Sequence, residues 1–60
     1  MEIKRLRLAQ TMTQEEFAAL LGVKRSTVAM WETDKNKPRA ALLPRIADTL
    51  GCTVDELLRS

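Results

Sequence analysis

Two repeated signals, a capping box and a glycine stop, divide this sequence into short helices. The spacing Thr-x-x-Glu, in which each side chain caps a backbone amide of the other residue, occurs at 13–16 and again at 53–56. Gly22 and Gly51 follow apolar segments, where glycine readily adopts the left-handed conformation that ends a helix. We therefore expect several short helices joined by turns, with almost no strand.

Apolar residues recur at helical intervals between these signals. They predict an all-α fold, a compact five-helix bundle in which residues 1–60 form one small domain. The predicted helices cover about 2–10, 14–21, 25–33 and 41–51, and a last short helix follows the second capping box. Pro44 must then lie in the first turn of the fourth helix, where its missing N–H costs little.

The same spacing predicts which side chains face the core. In the first helix Ile3 and Leu6 face inward, with Arg7 among the charged residues between them. Trp31 is expected in the core and not as a stacking platform for bases. The other predicted inward-facing residues are Phe17, Leu20, Leu21, Val28, Leu42, Leu43, Ile46, Ala47 and Leu50.

Composition excludes several classes of function. Histidine is absent and Cys52 is the single cysteine, so a disulfide within the chain, a Cys/His zinc site and a nucleophile–histidine pair are ruled out. We expect no enzyme activity, no metal and no cofactor, with Cys52 at the core or its boundary.

The longest apolar run, 17–21, is far short of the ~20 residues that span a bilayer. Without an export signal, a cytoplasmic location is expected.

The net charge of +2 is unevenly distributed. Segments 1–10 and 34–45 carry +2 and +3, whereas 11–33 and 46–60 carry −1 and −2. A basic loop at 34–39, beside a helix with a polar face, is typical of a phosphate-binding surface. A merely solvated face is the alternative, and charge alone does not indicate nucleic acid.

The second and third helices, joined at Gly22, have the arrangement of a helix-turn-helix unit. The motif resembles the phage repressor/Cro-type (Xre-like) helix-turn-helix family over Thr13-Gln14-Glu15-Glu16-Phe17-Ala18-x-x-Leu21-Gly22-Val23-x-x-Ser26-Thr27-Val28-x-x-Trp31-Glu32. Pro38 and the segments 46–51 and 54–58 fit the same family. The resemblance covers nearly the whole chain.

The resemblance implies a lambda-repressor-like fold whose third helix, about 25–33, enters the major groove of DNA. The positions that match base-reading sites of the family are Arg25, Ser26 and Met30. An arginine can donate two hydrogen bonds to guanine, whereas a serine hydroxyl can bond several bases. Met30 replaces a residue that is often polar, and it either touches a thymine methyl group or reads nothing.

The resemblance also implies phosphate contacts and a structural pair. Gln14, at the amino-terminal end of the second helix, matches a residue that bonds phosphate there, although it is otherwise simply the first residue of that helix. Arg7 and Glu32 match a pair that ties the first helix to the third and orients it. The remaining phosphate candidates are Lys24, Thr27, Asn36 and Lys37.

The function expected from these features is sequence-specific binding of double-stranded DNA by a transcriptional regulator, a repressor. Useful specificity from so small a domain suggests a homodimer on a palindromic operator, with Leu57 and Leu58 at the seam. The alternative is a protein-interaction module on the same fold, such as an antitoxin-like domain that binds a protein partner.

Overall fold

The structure, a computed structural model, describes residues 1–59. Over that range the chain forms five α-helices and no strand, as predicted. A short 3-10 helix, Ala40–Leu42, directly precedes the fourth α-helix. The α-helices are α1 (Ile3–Ala9), α2 (Gln14–Leu21), α3 (Arg25–Glu32), α4 (Leu43–Leu50) and α5 (Val54–Arg59).

Local signals explain where these helices begin and end. The Glu16 amide donates to the Thr13 hydroxyl at 3.0 Å, and the Thr13 amide donates to the Glu16 carboxylate at 2.8 Å. Gly22 closes α2 with φ of 71°, and the Val23 amide donates back to the Ala18 carbonyl at 3.0 Å. This closed end turns the chain directly into α3.

The same two devices bound the second half of the bundle. The capping box at Thr53 and Glu56 is formed, with amide-to-side-chain distances of 3.1 and 3.0 Å. Gly51 ends α4 with φ of 71°, and the Cys52 amide donates to the Ala47 carbonyl at 2.9 Å. Pro44 lies in the first turn of α4, as predicted.

One apolar core joins the five helices. Phe17, Val28 and Ile46 are fully buried at its centre, and Trp31 lies in it as predicted. Its other members are Ile3, Ala18, Leu21, Ala47, Leu50 and Leu57. Cys52 is half-buried beside this core, and burial raises the pKa of its thiol, which disfavours the reactive thiolate.

Leu20 does not face the core, contrary to the prediction. Its side chain is 58% exposed. The buried stripe of α2 is centred between Phe17, Ala18 and Leu21, and at 3.6 residues per turn Leu20 lies about 100° from that centre. The helical spacing puts Leu20 at the edge of the predicted apolar stripe. No other helix within residues 1–59 covers that edge of α2, so the side chain remains in solvent.

The inward face of α1 also differs from the prediction, because Ile3 and Arg7 are buried whereas Leu6 is only half-buried. Arg7 is 6% exposed. Its guanidinium donates to the Glu32 carboxylate from Nε at 2.7 Å and from Nη2 at 3.3 Å, and from Nη1 to the Met12 carbonyl at 2.6 Å. A charged side chain is tolerated at this buried position because each of its three guanidinium nitrogens donates to an acceptor.

Glu32 is ionised in this setting. Burial raises the pKa of its carboxyl, but hydrogen bonds from Arg7 and Gln14 and the positive charge of Arg7 outweigh that effect, so the pKa lies below its ordinary value. The buried pair connects α1 with α3. The bond from Arg7 to the Met12 carbonyl also connects this pair to the turn that leads into α2.

Within residues 1–59, two residues other than glycine have a positive φ, Thr11 at 57° and Asp34 at 59°. Thr11 follows α1, and Asp34 lies in the turn that follows α3. Aspartate tolerates this left-handed conformation, whereas a β-branched side chain such as threonine is strained in it.

Leu57 lies fully buried in the core of the single chain, so its side chain has no surface to offer a second copy. The expectation that it forms part of a dimer seam is therefore wrong. Leu58, the next residue, lies about 100° further round the helix and is 54% exposed.

Replacing Arg7 by methionine is expected to lower the free energy of unfolding at neutral pH by about 3–5 kcal/mol, because the buried Glu32 carboxylate loses its countercharge. In the wild type, the lowered pKa of Glu32 gives stability that is present above the unfolded-state pKa of about 4.5. That stability is lost as pH falls through the lower folded-state value. Urea unfolding followed by Trp31 fluorescence from neutral to acidic pH measures both effects.

The exposed pair Arg5–Glu2, at 3.2 Å, supplies the control. Arg5→Met should change stability by less than about 1 kcal/mol. A double variant, Arg7→Met with Glu32→Met, should regain stability at neutral pH and lose its acid dependence. Equal losses for Arg5→Met and Arg7→Met would contradict a special role for the buried pair.

Candidate nucleic-acid interface

The outer face of α3 carries the residues predicted to read bases. Arg25 and Ser26 lie exposed in its first turn, and Met30 lies one turn later and is also exposed. The opposite face of the same helix buries Val28 and Trp31 in the core. Because Val28 and Trp31 are packed in the core, the opposite, polar side of α3 faces solvent. The same packing holds the helix in place.

Gln14 and Arg25 are each the first residue of a helix, and the turn between α2 and α3 brings their side chains together. Arg25 Nη1 donates to Gln14 Oε1 at 3.1 Å. Gln14 Nε2 donates in turn to Glu32 Oε1 at 2.9 Å. The sequence did not predict either bond, because eleven and eighteen residues separate these partners in the chain.

Two further phosphate candidates lie on or beside the first turn of α3. Lys24 is the residue that precedes this helix, and its exposed side chain makes no capping hydrogen bond. Thr27 is half-buried. The two positions flank Arg25 and Ser26, so four consecutive polar side chains occupy the amino-terminal end of α3.

Asn36 and Lys37 lie in the exposed loop after α3 and not on a helix. The amides of Lys35 and Asn36 donate to the Met30 carbonyl at 3.0 and 3.3 Å, so the loop folds back over the end of α3. Asn36 Oδ1 accepts from the Lys37 amide at 2.9 Å, which fixes the local turn. The loop therefore presents its basic residues beside the carboxyl end of the same helix whose amino end carries Arg25.

Residues 1–59 show little that would support a metal site, a membrane span or acid–base catalysis. That part of the chain contains no group of three or more metal-ligating side chains that could hold an ion. None of the helices it forms is long and apolar enough to cross a membrane. Glu32 is the one carboxyl group there whose pKa departs clearly from its ordinary value, and its oxygens already accept hydrogen bonds from Arg7 and Gln14.

Comparison with known proteins agrees with this geometry. A helix-turn-helix family model matches residues 3–57. The HTH-type transcriptional activator BcrR of Enterococcus faecalis is 35% identical over 57 residues, which cover 95% of this chain. The chain spans only 28% of the length of that relative. No solved structure shows significant similarity to the chain.

The family match covers all five helices up to Leu57, and it includes α2, the Gly22 turn and the exposed face of α3. The resemblance drawn from the motif between Thr13 and Glu32 is thereby confirmed. The chain belongs to the Cro/repressor-type (Xre-like) family of helix-turn-helix DNA-binding domains.

Proposed function

We propose that this domain binds a specific site in double-stranded DNA with α3 in the major groove, as part of a transcriptional regulator. The exposed first turn of α3 is the feature that supports this most directly. There, Arg25 and Ser26 stand beside the amino-terminal end of α2, while the rest of α3 is fixed by Val28 and Trp31 in the core. A rigid helix with a short polar end fits the width of a major groove.

Base reading is assigned to Arg25, Ser26 and Met30. Arg25 donates a pair of hydrogen bonds to O6 and N7 of a guanine, and Ser26 bonds a neighbouring base edge. Met30 is exposed at the next turn, where a thymine methyl group is the fitting partner. These three side chains project from one side of one helix, so they reach adjacent base pairs.

Phosphate contacts set the register of α3 in the groove. Gln14 lies at the amino-terminal end of α2, where backbone amides and the helix dipole favour an anion. The loop supplies Asn36 and Lys37 beyond the other end of α3. With Lys24 and Thr27, these residues form a polar rim on both sides of the base-reading face.

The direction of regulation depends on where the bound site lies. On an operator that overlaps a promoter, the bound domain blocks polymerase and acts as a repressor, which is the role expected from the sequence. The relative from Enterococcus faecalis is named an activator, and recruitment of polymerase by the bound regulator is the other route. Either role is one of binding without catalysis, and it takes place in the cytoplasm, where the DNA is.

Duplex selection from a random library is the test of this function. We expect enrichment of a short palindrome whose half-sites are about one helical turn, ~34 Å, apart. A salt titration on the selected duplex and on a scrambled control should show tighter binding to the selected duplex at every salt concentration. Weak, salt-sensitive binding of equal strength to both would contradict the proposal, and it would favour a protein-interaction module of the antitoxin-like kind.

Arg25→Ala is expected to weaken binding to the selected duplex by about 1–3 kcal/mol and to relax selectivity at one base pair, because the pair of bonds to guanine is lost. Competition binding against duplexes with single base-pair changes measures this. Lys37→Ala is the control: it should weaken binding to all duplexes alike and lower the slope of log K against log salt by about one. Equal losses for Arg25→Ala on selected and random DNA would contradict base reading.

Dimerisation on a palindrome is proposed to involve Leu58. This exposed leucine borders a groove of about 340 Å³ between α5 and the loop after α3, whose apolar lining includes Leu43 and Trp31. Asn36 and Lys37 line the same groove, so a second copy that packs against Leu58 must leave these two phosphate candidates and both α3 helices free for DNA.

Leu58→Glu is expected to abolish preference for the two-fold site and to leave half-site binding intact, because the charge prevents packing of the apolar seam. Analytical ultracentrifugation with and without the palindromic duplex measures the stoichiometry. Leu8→Glu is the matched control, since Leu8 and Leu58 are both 54% exposed but lie on different helices. Loss of two-fold binding in both variants, or in neither, would count against Leu58 as the seam.

A further inference from the structure

The first four α-helices end in the same kind of turn, in which one residue adopts a left-handed conformation. That residue is Thr11 after α1, Gly22 after α2 and Gly51 after α4, with φ between 57° and 71°. After α3 it is Asp34, with φ of 59°. Among these four turns, the one after α3 is therefore the one that holds a charged side chain at the left-handed position.

Backbone hydrogen bonds fix where Asp34 lies. The Lys35 amide donates to the Met30 carbonyl at 3.0 Å, and the Asp34 amide donates to the Trp31 carbonyl at 3.4 Å. These two bonds close the end of α3 and set the direction in which the following loop leaves it. Asp34 therefore stands at the start of the basic loop, and it lines the same groove as Lys37.

Aspartate is an unfavourable residue at this position for two reasons. A left-handed backbone is more strained with aspartate than with glycine. The negative charge also lies at the carboxyl-terminal end of α3, where the helix dipole is itself negative. The side chain is exposed, and within residues 1–59 its carboxylate makes no hydrogen bond or ion pair that would offset these costs. The charge of Asp34 therefore acts mainly on what the loop binds.

We propose that Asp34 limits the affinity of this domain for DNA, by placing a negative charge in the loop that approaches the phosphate backbone. This inference rests on the proposed contact between that loop and phosphates. Lys35, Lys37 and Arg39 give the loop three positive charges, and Asp34 is its one acidic residue. The carboxylate offsets one of these charges and repels the phosphates directly.

Such a limit acts on every duplex alike, because phosphate contacts carry no sequence information. The residues of α3 still decide which bases are preferred. At a given protein concentration, a lower affinity leaves single half-sites and non-specific DNA largely empty. A two-fold site that binds two linked copies is still filled, because binding of the first copy favours binding of the second.

The test compares the wild type with Asp34→Asn, Asp34→Gly and Asp48→Asn. Asparagine removes the charge and tolerates the left-handed backbone, whereas glycine removes both the charge and the strain. Asp48→Asn is the matched control, because it makes the same change of charge at an exposed residue near the carboxyl-terminal end of α4, outside the loop. Unfolding midpoints, measured first, establish that each variant is folded.

Fluorescence anisotropy measures binding to a duplex with one selected half-site and to its scrambled version, over a range of salt concentrations. At about 0.1 M salt, Asp34→Asn and Asp34→Gly are both expected to bind both duplexes about two- to fivefold more tightly. The slope of log K against log salt should become steeper by up to about one. Asp48→Asn should change affinity by less than about twofold, because salt screens charges that are far from the phosphates.

Two results would overturn the proposal. Tighter binding by Asp34→Gly alone would assign the gain to relief of backbone strain and not to charge. An equal gain in Asp48→Asn would mean that only the net charge of the domain matters, and that the place of Asp34 in the loop has no special effect.

The same measurements separate failure of this inference from failure of the proposed function. If the wild type prefers the half-site and Asp34→Asn binds it no more tightly, specific binding stands and the limiting role of Asp34 is wrong. If the wild type binds both duplexes equally and Asp34→Asn tightens both, site-specific binding is wrong while the limiting role of Asp34 stands. If neither protein binds either duplex, both proposals are wrong.

Discussion

The buried ion pair between Arg7 and Glu32 organises the rest of this small domain. Its two charges come from the first and third helices, and the third nitrogen of the guanidinium holds the carbonyl of Met12 in the turn before the second helix. Burying two charges is costly, and an apolar pair of the same size could match its stability. What an apolar pair lacks is direction: these hydrogen bonds fix the angle at which α1 meets α3.

The apolar core and the ion pair have different roles in this domain. Phe17, Val28 and Ile46 supply the apolar burial that folds the chain. The ion pair lies at the edge of that core, on the side where α2 begins and α3 ends. Contact with Gln14 makes it part of the surface that faces DNA in the proposed complex. The carboxylate of Glu32 therefore contributes both to the stability of the fold and to the proposed recognition surface.

Much of the fold could be predicted because its signals are local. Capping boxes and glycine stops involve residues at most a few positions apart, and they fixed the ends of α2 and α4 closely. The wrong predictions concern partners that are distant in sequence. Leu20 has the spacing of a core residue and Leu57 was expected at a seam, and in each case the packing of another helix decided otherwise. The pair between Arg7 and Glu32 was expected from the family motif, and the structure forms it. The candidate site shows the same limit: its positions could be named from the motif, but the bonds that join Gln14 to Arg25 and Glu32 depend on how two helices cross.

The left-handed conformation of Thr11 has a consequence for how this sequence can evolve. Its φ of 57° is costly for a β-branched residue, on the order of 1–2 kcal/mol, and its hydroxyl donates to the neighbouring Gln10 carbonyl at 2.6 Å. A glycine there would relieve the strain without changing a residue of α3. The gain would offset a destabilising change on α3, the helix proposed to meet DNA, so a lineage that first acquires the glycine can explore new operator sequences that its ancestor could not tolerate.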